Sequence, residues 1–151
     1  MRRSVLSLQI LLVSACAPGQ AKNTADEEVV SEWEWEPGDT EPRIANGEVW
    51  CDNDDAGFYI FFIEVNANDP QGASDLKDGA WAAYADGSSA PIVEDVLYCD
   101  GQDCIYSFTA DQYPDIPCPL IQDFSFVAEI FDYSGNSTGE FELMVQPPPE
   151  E

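Results

Sequence analysis

Strict alternation of apolar and polar residues is what most constrains the fold of this chain. Tyr59, Phe61, Ile63 and Val65 fall on one face of an extended segment, whose other face ends in Glu64 and Asn66. Phe124, Phe126, Ala128 and Ile130 alternate with Ser125 and Glu129, and Phe141, Leu143 and Val145 with Glu140, Glu142 and Met144. Successive side chains of a strand point to opposite faces, so each run reads as a strand with one buried face. Shorter runs at 44–51, 80–85, 92–99 and 104–109 bring the expected number of strands to seven. Turn-forming clusters separate them: Asp54-Asp55-Ala56-Gly57, Asn68-Asp69-Pro70-Gln71-Gly72, Asp86-Gly87, Asp100-Gly101 and Ser134-Gly135-Asn136. No helix of ordinary length is expected.

Seven short antiparallel strands in about 100 residues fit a single immunoglobulin-like or fibronectin type III-like β-sandwich. Two segments strengthen that expectation. The stretch from Val65 through Asn66-Ala67-Asn68-Asp69-Pro70-Gln71-Gly72 to Leu76 resembles the strand end and turn of bacterial Ig-like repeats. Phe131-Asp132-Tyr133-Ser134-Gly135-Asn136-Ser137 resembles their last hairpin. The resemblance covers residues 43–146, and residues 147–151 are expected to be a disordered, acidic, proline-rich tail. The spacing of cysteine and tryptophan found in antibody domains is missing, so the resemblance implies an architecture and no more.

Ahead of this domain the pattern changes. Arg2 and Arg3 precede an apolar run from Val5 to Val13, which reads as a secretory signal and is too short to span a bilayer. It ends in Val13-Ser14-Ala15-Cys16, which resembles the lipobox of bacterial lipoproteins. That resemblance implies cleavage after residue 15, acylation of Cys16, and attachment to the membrane through the lipid. Ala17, next to the anchor, implies the outer membrane of a bacterial cell envelope, by resemblance to Gram-negative sorting. Residues 16–42 are small, polar, acidic and proline-bearing, as expected of a flexible, disordered tether. Within them Ser31-Glu32-Trp33-Glu34-Trp35-Glu36 alternates acid with tryptophan. Trp33 and Trp35 would share one face of an extended segment, either pinned to the domain or docking a partner.

Charge narrows the partners. Removing residues 1–15 takes away Arg2 and Arg3 and no acid, leaving three basic residues against thirty acidic ones, a net of −27. Nucleic acid is excluded as a partner, because affinity for phosphate backbones comes from Lys and Arg. An aromatic fraction of 12% separates the chain from acidic disordered tails.

Besides Cys16 there are four cysteines, Cys51, Cys99, Cys104 and Cys118, an even number in an exported chain. A zinc site of four thiolates would want C-x-x-C pairs, and there are none. If the strands run strictly up and down, Cys51 and Cys118 share one end of the sandwich and Cys99 and Cys104 the other. The expected bonds are Cys51–Cys118 and Cys99–Cys104; one miscounted strand would reverse this, so the two other pairings stay open.

The chain has no histidine, which removes Ser-His-Asp and Cys-His catalysis and the commonest general base. No enzymatic activity and no resident cofactor is expected. Calcium is the one ion to weigh, since it takes about six to eight oxygen ligands. Asp52-Asn53-Asp54-Asp55-Ala56-Gly57 begins like an EF-hand loop but then fails, with Ala56 and Ile63 at ligand positions. The strand count instead gathers Asp69, Asp75, Asp100, Asp103 and Asp132, with Asn68 and Asn136, in loops at one end as a candidate Ca²⁺ set. Asp and Asn also make turns by capping their own backbone, so turn-making alone is the competing explanation. The expected function is a non-catalytic, membrane-anchored lipoprotein presenting an acidic Ig-like domain to an envelope protein or glycan. The alternatives are an accessory subunit of an envelope assembly and a Ca²⁺-dependent or carbohydrate-binding adhesion module, the latter requiring aromatics such as Trp81, Tyr84 or Tyr113 to form an exposed platform.

Overall fold

The computed structural model of the chain describes residues 33–54 and 56–149. The signal segment, Cys16 and the first part of the tether lie outside the described residues, as do the last two residues of the tail. The described part is all-β. Its strands are β1 (Arg43–Asn53), β2 (Tyr59–Asn68), β3 (Leu76–Ala85), β4 (Val93–Asp100), β5 (Asp103–Thr109), β6 (Phe124–Asp132), β7 (Phe141–Glu142) and β8 (Met144–Val145). Two short 3-10 turns, Ala73–Asp75 and Cys118–Asp123, are the helical elements among the described residues.

The strand order β7-β6-β3-β4-β5-β2-β1-β8 makes one eight-stranded sheet that curls until it is nearly closed. This corrects the expected seven-stranded, wholly antiparallel sandwich in two places. First, the run at 141–145 is two strands, not one. Phe141 and Glu142 pair antiparallel with β6, whereas Met144 and Val145 pair parallel with β1. At the crossing the Leu143 N–H donates to the Phe126 carbonyl at 2.9 Å, and the Gln146 N–H donates to the Val49 carbonyl at 2.8 Å. Side-chain alternation continues unbroken through the switch, with Leu143 buried, because alternation reports which face is covered and not which backbone is bonded. Second, β4 belongs to both halves of the sheet. Its Val93–Leu97 stretch pairs with β3, and Tyr98–Asp100 pairs with β5.

A column of aromatics fills the interior. Phe61 of β2 stacks on Phe108 of β5 at 4.8 Å, Trp81 of β3 lies on Phe108 at 5.3 Å, and Phe126 of β6 follows at 6.3 Å. All four are buried, so the column joins one half of the sheet to the other. Gly79 stands at an irregularity in the register of β3 and β6. A Cβ there would lie 2.5 Å from the Glu129 carbonyl oxygen, so only glycine fits.

Disulfides join Cys51 to Cys118 and Cys99 to Cys104, the pairs derived from the strand count. The first ties β1 to the start of the 3-10 turn before β6. The second links directly opposite residues of the β4–β5 hairpin, with Cα atoms 3.9 Å apart. Chain-entropy reasoning assigns them about 4 and about 2 kcal/mol.

The register defines two ends. Arg43 opposes Asn68, Asn66 opposes Asp103, and Leu76 opposes Asp132, so the β2–β3, β4–β5 and β6–β7 connections share one end. The β1–β2, β3–β4 and β5–β6 connections share the other. Residues 33–42 form a strap at the first end. Arg43 holds it, donating from Nη1 to the Glu34 carbonyl at 3.0 Å and from Nη2 to the Asp39 carboxylate at 2.7 Å.

Candidate metal centre at the strand ends

Two turns build the site. The first begins at Asp69, directly after β2. Pro70 presets the bend, the Gly72 N–H donates to the Asp69 carbonyl at 2.8 Å, and Gly72 takes a φ of +110° that side-chain-bearing residues avoid. The Gln71 N–H donates to Asp69 Oδ1 at 2.8 Å, folding the carboxylate back over its own turn. The Asp75 N–H then donates to the Gly72 carbonyl at 2.9 Å, opening the 3-10 turn that leads into β3. As a result Asp69 is only 1% exposed, while Asp75 is half-buried.

Asp132, the last residue of β6, begins the second turn. Its Oδ1 accepts the Asn136 N–H at 2.7 Å and its Oδ2 the Asn136 side-chain amide at 2.6 Å, and Gly135 turns the chain with a positive φ. Asp132 is also 1% exposed. The turns are joined by the Tyr133 N–H, which donates to the Asp75 carbonyl at 3.0 Å. The turns that begin at Asp69 and at Asp132 are therefore adjacent in space.

This places one carboxylate oxygen from each of Asp69, Asp75 and Asp132 within 4.8 Å of one another. The three carboxylates do not share one state of satisfaction. Burial pushes the Asp132 carboxyl up, but the Asn136 side chain and the N–H groups of Asn136, Gly135 and Ser134 outweigh it and hold it below the usual range. Burial likewise raises Asp69, and the charges of Asp75 and Asp132 add to the rise against the single lowering contact from Gln71. Asp69 Oδ2 is buried and has no hydrogen-bond partner among the described residues. An all-oxygen set suits a hard divalent cation and not zinc, which favours nitrogen and sulfur.

The other expected ligands stand apart from this group. Asp100 and Asp103 face each other across the β4–β5 turn, and Asp103 Oδ1 accepts from the Asn66 side-chain amide at 3.2 Å. Asp54 serves its own hairpin turn, its Oδ1 accepting the N–H groups of Ala56 and Phe58. Trp33 and Trp35 stack on each other at 5.9 Å, and the Arg43 guanidinium lies 4.7 Å over the Trp35 ring. Trp81 is 1% exposed inside the aromatic column, which removes it from any sugar-binding platform, and Tyr84 and Tyr113 are half-buried.

One polar cluster escaped the sequence reading. β4 and β5 pair only at Tyr98–Asp100, and further along Asp95 turns inward beside Val93 and Leu97. Its carboxylate accepts the hydroxyls of Tyr106, at 2.9 Å, and of Tyr113. The Tyr113 bond outweighs the opposing effect of burial and, with the Val96 N–H and Tyr106, holds the Asp95 carboxyl below its usual range. Burial first, then Asp95, push the Tyr113 hydroxyl well above its own. The cluster seals the splay between β4 and β5. Its only sequence signal is the position of Asp95 two residues from both Val93 and Leu97, on the face they bury.

No family model matches this chain, and no curated protein matches it in sequence.

Proposed function

We propose that this chain is a non-catalytic, lipid-anchored protein of the bacterial envelope, held at the outer membrane through Cys16, whose acidic Ig-like domain engages an envelope partner. The observation that carries this reading is the division of labour between the ends of the sheet. The strap that leads back in sequence toward the lipobox is tied down at one end by Arg43. At the opposite end, exposed apolar side chains stand on separate connections: Phe58, 67% exposed, with Ile92 and Leu120. Connecting segments are where binding residues usually stand, and these side chains are available to a partner. The Ig-like reading is supported by the order of the two half-sheets and by the adjacency of the two turn segments. The lack of any histidine supports a non-catalytic role. Among the described residues no helix is long and apolar enough to cross a membrane, so in this reading the lipid supplies the attachment.

The test combines lipid labelling with fractionation. Wild type should incorporate palmitate and sediment with membranes, and Cys16→Ser should do neither while keeping both disulfides. A Cys16→Ser protein that still sediments with membranes overturns the anchor. Photo-crosslinkers at Phe58 and Leu120, compared with one at Tyr133, test the docking end; equal capture from both ends overturns it.

A further inference from the structure

We infer that Asp69, Asp75 and Asp132 form a calcium-binding site that joins the two halves of the sheet at their shared end. Two independent observations carry this. The first is the convergence of three carboxylate oxygens within 4.8 Å of one another. Calcium binds oxygens at about 2.3–2.6 Å, so ligands around one ion lie up to about 5 Å apart, the span found here. The second is Asp69 Oδ2, an oxygen of a residue 1% exposed that no donor among the described residues satisfies. Burying a charged oxygen without a partner is costly, and folds rarely tolerate it unless something else meets the charge. Among the described residues the one Lys or Arg in an ion pair is Arg43, and its partner is Asp39.

The geometry around the cluster suits an ion. Both oxygens of Asp132 accept from Asn136, which fixes the carboxylate's orientation, and Asp75 is half-buried and so open to water that can complete the shell. Three aspartates supply up to six oxygens, and calcium accepts carboxylates in one- or two-oxygen modes with water filling the rest. Asp69 follows β2 of one half-sheet, whereas Asp75 leads into β3 and Asp132 ends β6 of the other. An ion held by all three would cross-link the end of β2 to β3 and β6, with which β2 does not pair.

The test is calorimetric titration of the full chain in detergent with calcium chloride, followed by thermal unfolding in calcium and in chelator. One ion per chain should bind, and the unfolding midpoint should rise by roughly 10–20 °C at a hundredfold excess over Kd. Asp69→Asn and Asp75→Asn should each weaken binding at least tenfold, while the double variant Asp100→Asn/Asp103→Asn should bind as wild type. Should Asp69→Asn fail to fold, the half-buried Asp75→Asn keeps the test decisive. Titration heat that is absent, or that persists in Asp75→Asn and falls in the Asp100/Asp103 variant, overturns the assignment. Displacement of the bound calcium by an equal concentration of magnesium overturns the choice of ion.

Discussion

Two regions of this molecule turn a carboxylate inward, and they do so with opposite electrostatic results. Asp95 meets two tyrosine hydroxyls and is held below its usual pKa; Asp69 meets one backbone N–H and two other aspartates and is held above it. The first arrangement is complete within the fold. The second is not, since Asp69 Oδ2 has no partner among the described residues. A buried charge that its neighbours satisfy belongs to the architecture, whereas one that they leave unsatisfied points to a ligand.

The contrast can be broken in several ways. Removing the Cys51–Cys118 bond by double substitution to Ala should have the largest effect, about 4 kcal/mol in denaturant unfolding. Because this bond ends the segment that carries Tyr113, the loss should loosen the Asp95 seal and leave calcium affinity within twofold of wild type. Asp95→Asn comes next. It weakens two hydrogen bonds to a charged acceptor and should cost about 2–3 kcal/mol, equally in calcium and in chelator.

Asp69→Asn should act with the opposite sign. In chelator it removes a repelled, unpartnered charge and should stabilise the fold by about 1 kcal/mol, while abolishing the gain from calcium. Destabilisation by Asp69→Asn in chelator as large as that by Asp95→Asn would erase the distinction between the two regions.

Acid sensitivity gives a smaller effect with a defined sign. The Asp95 pKa is depressed from 3.8, so its contribution is present above that value and is lost as pH falls through the lower folded value. Unfolding of wild type should therefore steepen below pH 3.8, and Asp95→Asn should remove that part of the dependence. The Tyr113 shift runs the other way, from 10.0 upward, so its contribution holds below pH 10 and fades only as pH rises through the folded value. The smallest effect concerns the strap. Gln71 donates to the Asp39 carbonyl at 3.5 Å and Asn136 to the Thr40 carbonyl at 3.0 Å, both from the turns that hold the aspartates. Calcium should slow proteolysis within residues 33–42 by a few-fold, and more in wild type than in Asp75→Asn.

What could be read in advance follows from what each pattern encodes. Alternation located the buried faces of β2, of β6 and of the run at 141–145, because side-chain direction is a local property of extended chain. It did not reveal that β4 is shared between half-sheets or that Leu143 marks a change of partner, since pairing is decided by distant segments. Strand counting gathered the loop aspartates at one end and matched the cysteines correctly. It could not separate Asp69, Asp75 and Asp132 from Asp100 and Asp103, because convergence depends on a Pro70–Gly72 turn that folds Asp69 inward and on the Tyr133 bond between turns. Asp95 was hidden among Glu94 and Val96, where acid and apolar residues do not alternate cleanly.

Thermal unfolding of wild type and Asp69→Asn, each in calcium and in chelator, tests the central claim most directly. The account predicts that calcium raises the wild-type midpoint, that the variant has one midpoint in both conditions, and that this midpoint exceeds that of wild type in chelator. Coincident wild-type midpoints in calcium and chelator would contradict it.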